Sequence, residues 1–207
     1  MKKVFLAIAA VVFSVTTAMA QSPAGSIFVK PMVGGTLTKL TKLEDTKMKL
    51  GFVGGAEVGY QVSDAFAVTG GVLASMQGTK SDAKGSLDLD FLGSVDLKEP
   101  SFTLTYINIP IMANYYVAPG LAIKAGIQPG FLVSQKLKAK TSAGDVESTN
   151  SEGYKKFDFS IPFGLSYEIS DFVIDARYNL GVTKVFDNVK AKNSVFMLTV
   201  GYKIPLN

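Results

Sequence analysis

The chain has neither cysteine nor histidine. Without cysteine there can be no disulfide staple and no thiolate metal site. Without histidine, Ser-His and Cys-His nucleophile pairs and the usual zinc sites are impossible. Phosphate-loop and dinucleotide glycine patterns, which need a strand-to-helix setting, are missing as well. So is any run of about 18 apolar residues beyond the N-terminus, which rules out a membrane-spanning helix. Nor is there a strong charge imbalance. Setting aside Lys2 and Lys3 of the leader leaves 19 bases against 17 acids, too even a balance to suggest nucleic acid as a partner.

What is present begins with an address. Met1-Lys2-Lys3, an apolar run from Val4 to Phe13 and the small-residue end Ala18-Met19-Ala20 have the three parts of a secretory signal peptide. Cleavage is expected after Ala20, leaving residues 21–207 as one domain. No cysteine follows that site, so the signal is not that of a lipoprotein.

The most informative stretch is Lys156 to Thr183. Phe157, Phe159, Ile161, Phe163, Leu165, Tyr167 and Ile169 alternate with Asp158, Ser160, Pro162, Gly164, Ser166 and Glu168. After Ser170-Asp171, Phe172, Ile174, Ala176, Tyr178, Leu180 and Val182 alternate with Asp175, Arg177, Asn179, Gly181 and Thr183. A period of two puts one greasy and one polar face on each strand. These strands are longer than the usual 5 or 6 residues and suit the roughly 9 to 11 that cross a bilayer at a tilt.

The same pattern recurs along the chain. Strands are expected over about Ile27 to Leu37, Leu50 to Val62, Ala65 to Gln77, Ser101 to Val117, Leu121 to Leu137 and Ser194 to Ile204, besides the two above. Within the fourth, Phe102, Leu104 and Tyr106 share one parity and Ile107, Ile109, Ile111, Ala113 and Tyr115 the other. Both sets are expected to face outward, with a bulge near Tyr106-Ile107 supplying the extra residue that restores the outward face. Leu87-Asp88-Leu89-Asp90-Phe91 is expected to extend a hairpin beyond the membrane. Short turns at Ser63-Asp64, Ala118-Pro119-Gly120 and Ser170-Asp171 alternate with long polar connections. The fold expected is all-β: an eight-stranded antiparallel up-and-down transmembrane β-barrel with short periplasmic turns and longer external loops.

Alternation alone leaves open which face is outside, because a soluble periplasmic lipocalin-like ligand binder has the same period. The polar rows hold Lys30, Glu57, Lys124, Asp158, Glu168, Asp175, Arg177 and Lys203, four acids and four bases, the balance expected of a lumen whose charges must pair. Tyr60, Tyr115 and Tyr167 each stand three residues before a short turn on the apolar face, as an interfacial girdle requires. Pro110, Pro129 and Pro162 each remove a ladder donor, so bulges or contacts with lumen water are expected there. The pairs Gly34-Gly35, Gly54-Gly55 and Gly70-Gly71 fit a strongly curved small barrel.

Tyr106-Ile107-Asn108-Ile109-Pro110 through Ala125-Gly126-Ile127-Gln128-Pro129-Gly130-Phe131-Leu132-Val133-Ser134, with Phe163 to Ser170 and Asp175 to Val182, resembles the small outer-membrane β-barrel domain common in Bacteroidota, a porin-family-like group. The resemblance implies the cell outer membrane of a Gram-negative bacterium and insertion by the barrel-assembly machinery. Members often end in an aromatic residue, a part that Tyr202 is expected to take here. The group includes PorT-like components of a protein secretion apparatus, which stands as an alternative role.

No catalytic, cofactor or metal site is expected. Asp158 and Glu168 are about 33 Å apart along one strand, too far to act as a catalytic pair. A barrel of eight strands is just wide enough for side chains to fill, so an open pore is not expected. The expected partners are outer-membrane lipid and, through loop lysines such as Lys39, Lys42, Lys47, Lys80, Lys84, Lys138, Lys140, Lys190 and Lys192, lipopolysaccharide. The expected state is a monomer with a structural or surface-interaction role.

Overall fold

The computed structural model describes residues 22–41, 46–81, 85–89, 93–141, 144–148, 155–184 and 191–206. The expected signal peptide lies outside them, as do Lys42, Lys84, Asp90, Phe91 and Lys190. The regular elements among the described residues are all strands: β1 (Ile27–Leu40), β2 (Thr46–Ser63), β3 (Phe66–Ser81), β4 (Gly85–Leu89), β5 (Gly93–Asn108), β6 (Ile111–Ala118), β7 (Leu121–Thr141), β8 (Gly144–Ser148), β9 (Phe157–Ile169), β10 (Phe172–Gly181), β11 (Asn193–Tyr202) and β12 (Ile204–Pro205).

Sequential neighbours pair antiparallel, and β1 pairs with both β2 and β11, which closes the ring. β5 and β6 continue one ribbon across Ile109-Pro110, and β12 continues β11 past Lys203. β4 and β8 extend hairpins on β5 and β7. The result is a closed barrel of eight antiparallel ribbons. Closure leaves no sheet edge and lets neighbouring ribbons satisfy each other's backbone polar groups, which a structure in hydrocarbon requires.

The side-chain period settles which face is which. Along β9, Asp158, Ser160, Ser166 and Glu168 are buried, while Phe157, Ile161, Phe163, Leu165 and Ile169 are exposed. Along β10, Ile161's partner Leu180 is 45% exposed, whereas Asp175 and Arg177 are each 1% exposed. The charged rows therefore face the centre and the oily rows face out. That is the reverse of a ligand-binding barrel with an apolar interior.

Two expectations are corrected. Leu104 and Tyr106 do not share the outer face with Ile109 and Ile111. They are buried inside, where with Leu40 they form an apolar cluster against Leu132. The ribbon keeps one parity through Tyr106-Ile107, and the extra residue sits on the partner strand: Thr105 pairs Ser134 and Tyr106 pairs Leu132, so Val133 is skipped. Of the two arrangements expected at the prolines, a bulge is not the one found at Pro129 or Pro162. Pro110 occupies the gap between β5 and β6, where its carbonyl accepts from Gly71 N at 3.1 Å. Pro129 pairs Phe159 and Pro162 pairs Asn179 without a shift of register. Opposite Pro162 the β7–β9 ladder passes from Ala125↔Phe163 to Gln128↔Ser160 with no pair between. Losing a donor interrupts the ladder without requiring an inserted residue.

Tight curvature brings backbones close where side chains point inward. A Cβ on Gly34 would meet Leu198 O at 2.0 Å, and one on Gly59 would meet the Phe28 ring at 2.0 Å. A second apolar cluster inside the barrel joins Met32, Val53, Leu73, Val195 and Met197.

Candidate functional site

The lumen is where this sequence concentrates unusual chemistry. Lys30 and Glu57 are directly opposed in the β1–β2 register and bond at 2.8 Å. Asp175 and Arg177 are two residues apart on β10, so both project inward. Arg177 Nε donates to Asp175 Oδ1 at 2.7 Å, and Nη2 donates to Asp175 Oδ2 at 2.9 Å. The same Nη2 lies 2.6 Å from Glu57 Oε1, three ribbons away across the lumen. Lys124 on β7 bonds Asp175 Oδ2, to which Lys30 also approaches at 3.8 Å. Five charged side chains from four ribbons thus form one connected network in a setting where an unpaired charge would be costly.

A second cluster lies toward the short-turn end. Glu168 accepts from Tyr116 Oη at 2.6 Å and from Lys203 Nζ at 3.0 Å. Lys203 also stands 4.2 Å from the Phe28 ring centroid, a cation–π arrangement. Asp158 is buried but joins neither cluster; it accepts from the Thr183 hydroxyl at 2.8 Å and has no ion pair among the described residues.

Tyr60 and Tyr115 point outward, and Tyr167 lies on the outward parity of β9, half-buried. All three are at the short-turn end, where Tyr60 pairs Val68, Tyr115 pairs Phe66 and Tyr167 pairs Ile174. Phe172 and Tyr202 add an edge-on aromatic pair there, with centroids 5.1 Å apart.

Sequence reasoning missed Tyr116, Phe28 and Lys49. The first two sit on inward parity among apolar neighbours, and parity was the signal that could have placed them. Lys49 precedes the strand expected from Leu50, yet β2 begins at Thr46 and turns Lys49 inward, where Nζ donates to Phe102 O at 2.7 Å and to the Thr103 hydroxyl. Groups of three or more metal-ligating side chains do not occur among the described residues. The arrangement holds charges in mutual contact across the lumen.

A family model for the outer membrane protein beta-barrel domain matches residues 19–187. The chain belongs to this family. Outer-membrane β-barrel architecture and outer-membrane location follow from that membership, and a helix long and apolar enough to span a membrane is absent from the described residues. A search of curated proteins returned no match. Among solved structures, this outer-membrane barrel is similar to Ail, the attachment invasion locus protein of Yersinia pestis, at 16% identity and TM-score 0.46, covering 87% of this chain and 99% of that one. It is also similar to Neisserial surface protein A, at 13% identity and TM-score 0.47, covering 86% and 96%. Outer membrane protein W of E. coli shows 14% identity and TM-score 0.38, covering 88% and 99%.

Proposed function

We propose that the protein, exported through a leader at residues 1–20 and inserted by the barrel-assembly machinery, is a monomeric structural barrel that acts at the cell surface without conducting solutes. The observation that carries this is the obstructed lumen. Apolar clusters around Met32 and around Leu40 and Tyr106 occupy the same interior as the Lys30-Glu57-Arg177-Asp175-Lys124 network. An eight-stranded interior has little room beyond such side chains.

The surface role rests on the lysines that the sequence gathers toward the long-connection end, Lys39, Lys47, Lys80, Lys138 and Lys140 among them. A concentration of positive charge attracts anionic groups. The phosphates and carboxylates of lipopolysaccharide have the complementary chemistry.

The test has two readouts. Protein reconstituted in planar bilayers should show no steady conductance. Replacing Lys47, Lys80, Lys98 and Lys140 with Gln should lower the lipopolysaccharide retained through detergent purification. A stable open channel, or unchanged retention, would contradict the reading.

A further inference from the structure

We propose that the lumen binds a small monatomic anion, of halide size, in a cavity between its two charge clusters. The cavity is lined by Lys30, Lys124, Lys203, Glu168, Thr69 and Asn114, among others. It has room for about one water-sized sphere.

Charge balance points to an anion. The lining carries three ammonium side chains and one carboxylate. The network beyond it holds Lys30, Lys124 and Arg177 against Glu57 and Asp175, a surplus of one positive charge. Lys203 and Glu168 neutralise each other. The surplus therefore belongs to a network whose two lysines line the cavity, both almost wholly buried. An uncompensated charge is unfavourable where solvent is scarce. A water molecule would leave the surplus in place and a cation would add to it, and of the anions a monatomic one asks the least room of so small a cavity.

The neutral groups agree. Asn114 Nδ2 donates to Ala67 O at 3.2 Å and to Thr69 Oγ1 at 3.4 Å. Thr69 thus acts as acceptor toward Asn114 and keeps its own hydroxyl proton for a cavity occupant. Lysine ammonium groups, having three donors each, can reach an anion while holding their carboxylates.

The test uses the full mature barrel refolded in detergent micelles. Thermal unfolding is compared in sodium bromide, sodium chloride and sodium gluconate at equal ionic strength, and crystals grown in bromide are examined for anomalous scattering. Halide should raise the unfolding midpoint over gluconate by about 3–5 °C for each tenfold rise above its dissociation constant. A bromide peak should lie in the cavity. Lys124→Met, which makes the network neutral, should abolish the halide dependence, and Thr69→Val should weaken it. Equal midpoints in all three salts, bromide confined to the outer surface, or an undiminished halide effect in Lys124→Met overturns the proposal. If Lys124→Met does not refold, the position of bromide in the unmodified protein decides alone.

Discussion

Arg177 on β10 contacts Glu57 on β2 across the barrel at 2.6 Å through Nη2, while Nε and the same Nη2 hold Asp175 on its own strand. One side chain thereby ties together ribbons that are not neighbours in the sheet. Backbone ladders hold each ribbon only to the next, so contacts of this kind fix the cross-section.

The network should therefore behave as a unit. Glu57→Gln raises its surplus from one positive charge to two and should cost about 3–5 kcal/mol of unfolding free energy. In an Arg177→Met background the same change should cost about 1–3 kcal/mol less, because the charge it exposes is already gone. Urea unfolding in micelles, run as a double-mutant cycle, measures both. Strict additivity would show that the two side chains do not communicate.

Gly59 and Phe28 should be coupled by volume. A methyl on Gly59 meets the Phe28 ring at 2.0 Å, and moving that ring takes it from beneath Lys203. Gly59→Ala should destabilise by about 1–3 kcal/mol. Adding Phe28→Leu should recover part of the loss. The same urea series checks it, and a neutral Gly59→Ala would mean the ring has space elsewhere.

Charge on the outer face should be penalised by depth. Phe163 lies midway along β9 and is exposed, while Val62 is exposed beside the Ser63 turn. Phe163→Arg should cost about 2–4 kcal/mol in a bilayer, and Val62→Arg about 0–1 kcal/mol. Reversible unfolding in lipid vesicles gives both values, and equal costs would remove the depth assignment.

The period of two in Phe157 to Ile169 and Phe172 to Gly181 carried the architecture, because most residues there have a clear sign of polarity, the buried Val173 on the inward row being an exception. Leu104 and Tyr106 were misread for the opposite reason. An apolar residue suits either lipid or a packed interior, so hydrophobicity alone cannot assign its face, and only the parity running on to Asn108 does. The bulge was legible as a need for one extra residue but not as Val133, because a register shift belongs to two strands and the sequence displays each separately. Lys30 and Glu57 could be suggested as partners from neighbouring strands. Arg177 with Glu57 could not, since β11 and β1 stand between their ribbons and only closure of the ring brings them together. Asp158 shares the acids' parity but meets Thr183 instead of a base, a matter of height in the lumen that alternation does not encode.

The claim on which the rest depends is that the apolar rows meet acyl chains and the charged rows meet one another. Spin labels placed singly at Leu165→Cys and Ser166→Cys in vesicle-embedded protein, read for collision with oxygen and with a water-soluble nickel chelate, test it most directly. The account predicts that the label at 165 collides freely with oxygen and hardly with the chelate, while the label at 166 is immobilised and reached by little of either. High oxygen collision at 166 with shielding at 165 would contradict it.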